Sequence, residues 1–527
     1  MTRERVTGRS GAPTLRVDGV FLHSRYDPLR EAHRHLESLD LTSRTPRTVV
    51  VIGEGIPYLS EAISARYPDV AVFAVLLGPI SHDHRVVQID LTSLEDGDLR
   101  RWVRRTLSPL DAGALELVTW EPGRRVAPKL IAAAQQETLE VVRNASAEIA
   151  TIGSFGRRWL ANAIRSAILV DHRRQLPRSG TTATLATSGP SLERLRTGGR
   201  TAFPGMLAVT SSAWSTLTAC DIVPEMVVHT DGGYWATRYL RPFSSYGGTR
   251  RPVVAMPAHA AVPDALVRSP DIQPFSFLST GWLGEQLHTD VDEWYPVPEA
   301  PTVTATALHV LHHLLPHGKI YLAGLDLMSR GLLDHARPHP NDRLIATGAH
   351  RLRPELAIRA ERILRSPVTL HAWTDSVVGY QSPAMEAFLP EIDRIVALHR
   401  TSGSVAWLGA DDVTPTAHSR PQSVQDEERW YGRPSPSVAP PSNPALREHS
   451  RPPRTQRIAH ARRVLRLWRT AAVDGTWDTE QREILFHLAP VEVLKALRGE
   501  LDTRAVATSA KAGLDLLEQV VEKISSG

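Results

Sequence analysis

Five stretches in the middle of this chain end an apolar run on residues that can hold an anion or move a proton. They are Ser188-Gly189-Pro190-Ser191, Thr210-Ser211-Ser212, His229-Thr230-Asp231-Gly232-Gly233, Ser279-Thr280-Gly281 and Gly324-Leu325-Asp326-Leu327. In the first, Gly189 lets a phosphate come close to the backbone, and Ser188 and Ser191 add hydroxyl donors. A helix-compatible run (Leu192-Glu193-Arg194-Leu195) follows, so the turn is expected at a helix N-terminus, where open N–H groups and the dipole favour negative charge. It is neither a Walker A loop nor a complete G-x-G-x-x-G. Each of the other four has a bland reading too, because serines after strands cap helices and aspartates close turns.

The same region offers acid and base groups. His229 and Asp231 stand two apart, on one side of a strand end, where the carboxylate is expected to keep the imidazole charged and useful against phosphate. A buried, satisfied histidine is the other reading of His229. His335 and His339 lie in Asp334-His335-Ala336-Arg337-Pro338-His339-Pro340. The prolines forbid the helix that would align both rings on a zinc ion, which leaves His335 as a general base or a phosphate contact. Cys220 has no convincing partner and reads as packing.

These groups need strands to carry them. Apolar runs recur at Ala183–Leu185, Met206–Val209, Glu225–His229, Arg251–Met256, Gln273–Leu278 and Lys319–Leu322, with helical or loop segments between. Continuous apolar strands alternating with helices make a parallel doubly wound sheet, whose ligands collect beyond the strand C-termini. An earlier βαβ unit joins Val49-Val50-Val51-Ile52 to the run Val70–Leu77 through Gly53-Glu54-Gly55. That turn lacks the third glycine and the ribose-binding acid of a dinucleotide fingerprint, so it reads as a tight βα turn. The fold class is therefore α/β: two Rossmann-like doubly wound domains, the N-terminal one (1–124) smaller and the central one (125–405) larger. A Pro/Ser/Arg-rich linker (411–456) and a helical tail (457–527) follow.

Length and composition set outer limits. A chain of 527 residues has room for several cores, and a net charge of +4 spread over scattered arginines gives no nucleic-acid footprint. No apolar run is long enough to span a bilayer, and the N-terminus lacks a signal peptide's apolar region. A single cysteine rules out an intramolecular disulfide, so a cytoplasmic location is expected.

The run Ala186–Leu192, the run Ile222–Asp231 and the run Ile320–Leu327 together resemble the motility accessory factor (Maf) flagellin glycosyltransferases. These share a domain with the MptE-like 6-hydroxymethylpterin diphosphokinases of archaea. The resemblance covers roughly Phe21 to Arg400 and includes Leu22-His23-Ser24-Arg25-Tyr26-Asp27-Pro28. In this chain Pro224-Glu225 stands for the family's usual Pro-Asp, and Thr302-Val303-Thr304-Ala305-Thr306 replaces a glycine-serine stretch.

The resemblance implies transfer of a nonulosonic, sialic-acid-like sugar from a CMP-sugar donor to Ser or Thr of flagellin. Under it Ser188, Gly189, Pro190 and Ser191 would contact the donor's nucleotide and phosphate, with Ser211, Ser212, Thr280, Gly281, Gly324 and Asp326 around them. Asp231, His335 and His229 would be the catalytic candidates, and CMP departure requires no metal. A second reading keeps the fold but transfers pyrophosphate from ATP to a pterin alcohol, with Mg²⁺ on Asp231 and Asp326. A third is a non-catalytic nucleotide-binding or flagellar assembly protein.

Overall fold

The computed structural model describes residues 2–39, 41, 47–80, 86–94, 98–170, 180–241, 252–263, 275–279, 283–289, 295–297, 300–365, 367–374, 377–408, 452–472, 479–498 and 500–526. Most of the expected linker (411–456), together with Thr280 and Gly281, lies outside these residues. The chain divides into two units, Met1–Arg157 with Leu465–Glu518, and Arg158–Val464 with Gln519–Gly527.

The first unit opens with an antiparallel sheet, β1 (Arg3–Thr7), β2 (Pro13–Val17) and β3 (Val20–Phe21). A parallel sheet follows, made of β4 (Thr48–Glu54), β5 (Ala71–Leu76), β6 (Val87–Asp90) and β7 (Leu115–Thr119), in the order β6-β5-β4-β7. Every residue of β4 is buried, as expected of a central strand covered on both faces. The βαβ unit expected from Val49 to Leu77 is present, with the helix Tyr58–Arg66 between its strands. In the C-terminal part of this unit, Arg498 donates to the Gly113 carbonyl at 2.6 Å.

The crevice at the β4 turn is filled from within. The His23 ring, buried beside Tyr58 and Trp120, accepts from the N–H groups of Gly55 (3.1 Å) and Ile56 (2.9 Å) through Nε2. The Glu54 carboxylate accepts from Leu59 N–H at 2.7 Å and from Ser60. Donors that would face a phosphate in a dinucleotide fold are thus capped by side chains, in keeping with the plain βα turn read from the sequence.

The second unit is built on β8 (Thr182–Ala186), β9 (Met206–Thr210), β10 (Met226–Val228), β11 (Val253–Pro257), β12 (Phe275–Ser279), β13 (Tyr295–Val297) and β14 (Lys319–Ala323). A small antiparallel sheet, β15 (Ser329–Arg330), β16 (Thr369–Thr374) and β17 (Val377–Gln381), is followed by β18 (Ser404–Trp407). The parallel order is β13-β12-β11-β10-β9-β8-β14-β18. Six of these strands match the apolar runs seen in the sequence; β13 and β18 are short and were not anticipated. The chain steps outward from β8 to β13, then returns to lay β14 on the other side of β8. The loops after β8 and β14 therefore part in opposite directions, which makes the switch point where α/β sheets bind ligands.

Candidate functional site

The switch point brings Ser188–Ser191 and Gly324–Leu327 together. Thr187 N–H donates to Ala323 O and Gly189 N–H to Gly324 O, both at 2.8 Å. Asp326 then takes hold of Ser191 twice. Ser191 N–H donates to Oδ2 at 2.7 Å and Ser191 O–H to Oδ1 at 2.5 Å. The contact is so close that a Cβ on Gly189 would lie 2.3 Å from Gly324 O and 2.5 Å from Asp326 Oδ2. Gly324 has φ of +68°, the left-handed region that glycine enters without strain.

This geometry corrects one expectation. The N–H groups of Gly189 and Ser191 are engaged by the neighbouring loop rather than turned toward a ligand. The helix behind them, Leu192–Leu195, is a single turn, too short to accumulate a macrodipole. Asp326 is 9% exposed, and burial raises its pKa against the two Ser191 hydrogen bonds and the Arg330 charge. Its place is that of a clasp between two loops.

The groups beside the clasp form a hydroxyl chain. Ser212 O–H donates to Ser188 Oγ at 3.0 Å, Thr210 Oγ1 lies 3.2 Å from Ser212 Oγ, and Ser188 Oγ lies 3.2 Å from His335 Nδ1. Ser188 and Ser212 come from the ends of adjacent strands, β8 and β9. The His335 loop is pinned against them by Ala336 N–H on Ser188 O (2.8 Å) and by Thr216 O–H on Ala336 O (3.0 Å). Burial lowers the pKa of His335, with Asp334 acting in the opposite sense, so the ring is neutral at pH 7.

His339, which the sequence reading set aside with the zinc possibility, supports that ring. The two imidazoles stack at 4.2 Å. His339 also accepts from Asn341 N–H at 3.2 Å and caps the helix Pro340–Gly348, while Asp342 closes the capping box at 2.7 Å. Pro340 opens that helix at its first turn, so no helix runs through His335 and His339.

His229 is corrected more sharply. It is fully buried, with 0% of its surface exposed. Nε2 donates to Ala261 O at 2.9 Å, so Nδ1 is left to accept from Ser211 O–H at 3.0 Å. Burial lowers its pKa more than Asp231 and the Ala261 bond raise it, so the expectation of a charged imidazole is overturned. Both nitrogens are occupied in tying the loops after β9 and β11 to β10. Asp231, in contrast, is exposed, and its Oδ1 accepts from Gly233 N–H at 2.6 Å. Glu225 accepts from Leu207 N–H at 2.7 Å and pairs with Arg200 at 3.1 Å, which is a structural role. Among the described residues no group of three His, Cys, Asp or Glu side chains is placed to hold a metal ion, and no helix is long and apolar enough to cross a membrane.

Comparison with known proteins starts from this arrangement. The solved structure of the MAf glycosyltransferase from Magnetospirillum magneticum AMB-1 superposes with a TM-score of 0.52 at 13% identity, over 99% of this chain and 91% of that one. The two chains share a fold. The match runs over nearly the whole chain, both α/β sheets and the helical C-terminal part included. A protein of uncharacterized function from Treponema pallidum (strain Nichols) is 28% identical over 236 residues, 43% of this chain. That match spans 49% of the relative's own length. No family model matches the chain.

Proposed function

We propose that this protein is a glycosyltransferase of the Maf type, moving a nonulosonic sugar from a CMP-sugar to a Ser or Thr hydroxyl of flagellin. One observation carries the reading. At the topological switch point of the shared fold, the half-buried Ser188, Ser212 and His335 side chains meet in one hydrogen-bonded chain. A nucleotide-sugar donor sits at such a switch point in the general logic of α/β sheets.

In the proposed reaction the acceptor oxygen attacks the anomeric carbon as the bond from that carbon to the phosphate oxygen breaks. The phosphate leaves with the bonding pair, and the hydroxyl proton passes to His335 Nε2. In this reading Nδ1–H donates to Ser188 Oγ, 3.2 Å away, and Nε2 serves as the base. The Ser212 hydroxyl, which in this structure donates to Ser188, is in this reading turned to the departing charge once the donor binds. Asp326 and Ser191 act earlier, by holding the two crevice loops together.

The test is intact-mass spectrometry of flagellin from a strain deleted for this gene, complemented with wild-type or His335→Ala protein. Loss of the glycan mass in the deletion and in the variant is expected. An unchanged flagellin mass in the deletion would sink the reading. A transfer assay run with and without EDTA separates it from Mg²⁺-dependent pyrophosphate transfer.

A further inference from the structure

Two large rings after β10 are left unused by the crevice. Tyr234 and Trp235 open the 3-10 segment Tyr234–Leu240 and keep 68% and 57% of their surface exposed among the described residues. Their ring centroids are 5.3 Å apart and their planes cross at 74°, so they form a corner with two apolar walls. Arg238, one 3-10 turn further on, lays its guanidinium 3.9 Å from the Trp235 ring centroid. Single exposed apolar residues are ordinary, but two adjacent aromatic rings fixed at the ligand end of a parallel sheet ask for an occupant.

The corner stands on a firm base. Asn162 donates to the carbonyl oxygens of Gly232 and His259, both at 3.0 Å, which ties the segment to the helix behind it. A Cβ on Gly232 would lie 2.3 Å from the Trp159 ring, and Gly233 is held by the Asp231 carboxylate. The other end of the segment borders the crevice, because the Tyr239 ring lies 5.7 Å from that of His339, which stacks on His335. One short element therefore touches the reactive histidine loop and presents the aromatic corner to solvent.

We propose that the Tyr234–Trp235 corner is a sugar subsite that receives the C–H face of a pyranose ring. The C–H bonds of such a ring are apolar and slightly positive, which suits the negative face of an aromatic ring. A puckered ring meets both walls of a perpendicular corner, whereas a flat base would use one. Arg238 already covers a face of Trp235, which prevents a base from being sandwiched there. Arg238 and the exposed Asp231 carboxylate stand beside the corner to meet the polar edge of the sugar. The inference rests on the glycosyl-transfer reading above, and the ring can come from the donor's own sugar or from a glycan.

Calorimetric titration of wild type and Trp235→Ala with CMP, CMP-N-acetylneuraminic acid and sialyllactose tests this, with circular dichroism confirming that the variant is folded. Trp235 is exposed, so its removal leaves the core intact. The expected result is a loss of about tenfold in affinity for CMP-N-acetylneuraminic acid with the affinity for CMP unchanged. A Trp235-dependent loss confined to sialyllactose supports the same subsite with a glycan as its source. If that loss is seen while CMP and CMP-N-acetylneuraminic acid fail to bind wild type, the subsite stands and the CMP-donor reading falls. Equal weakening of CMP and the CMP-sugar means that the ring stacks the base and overturns the proposal. So do unchanged affinities for all three ligands, or no binding of any of them to wild type.

Discussion

Asp326 grips Ser191 through both carboxylate oxygens, one on the backbone N–H at 2.7 Å and one on the side-chain hydroxyl at 2.5 Å. The two residues follow the neighbouring parallel strands β8 and β14, between which the order of the strands reverses. The pair ties the two loops together and takes up donors that would otherwise be open to an anion. In the function proposed above, ligand recognition falls instead to the hydroxyls of Ser188 and Ser212 and to the His335 ring.

Breaking that pair is expected to act on stability first. Asp326→Ala strips the acceptor from a part-buried backbone N–H and a hydroxyl, a loss on the order of 1–3 kcal/mol. Ser191→Ala keeps the backbone bond and should lose less, about 1 kcal/mol. Urea denaturation of the two single variants and the double variant checks this. Additive losses would mean that the two side chains do not act as a unit.

Gly189 should tolerate no side chain. The Cβ of Gly189→Ala would sit 2.3 Å from Gly324 O, a backbone atom that cannot turn aside. Forcing the loops apart is expected to destabilise by about 1–3 kcal/mol or more, with visible loss of soluble protein. A melting temperature equal to wild type would show that the loops separate freely.

The base role proposed for His335 has a pH signature. Its folded pKa is depressed below 6.5 by burial, so the neutral, proton-accepting form is already present at pH 7. The rate should stay level from pH 8 down to about 6.5 and fall only below it. Ser188→Ala, which frees the ring to change tautomer, should lower kcat more than it changes KM. A profile that already falls between pH 8 and pH 7 is incompatible with this assignment.

The first unit should weaken in acid because of His23. Burial lowers its pKa to about 3, and Nε2 is occupied by two N–H donors. The unfolded chain takes up a proton near pH 6.5 while the folded chain refuses it, so stability is complete above that pH and is lost as pH falls. The slope contributed is about 1.4 kcal/mol per pH unit. Replacing His23 by Gln, which keeps an acceptor and removes the titration, should flatten the fall between pH 6 and 4.5. Urea midpoints measured at half-unit steps over that range decide the matter.

Much of the scaffold was legible in the sequence because a strand covered on both faces must be apolar throughout. Met206–Thr210 announces itself in this way, Thr182–Ala186 and Lys319–Ala323 carry shorter apolar stretches, and small residues follow each. The three-residue β13 and the partly exposed β18 carry too little of that signal to be seen. The roles of the site residues were less legible than their positions. His229 and His335 look alike in the sequence, each a histidine within two residues of an aspartate. One is sealed between a serine and a carbonyl, while the other is aimed at a serine hydroxyl.

The sequence by itself determined two α/β sheets, the strand ends that carry polar groups and the helical C-terminal part, since these follow from local patterns of burial. Only the tertiary structure decided which donors stay open. Whether the Ser191 N–H meets a ligand or a carboxylate depends on Asp326, 135 residues further along, and on the sheet placing β14 beside β8. A hydrogen bond is made or refused within a few tenths of an ångström. That distance is set by the crossing of the chain over the sheet, which no local run of residues encodes.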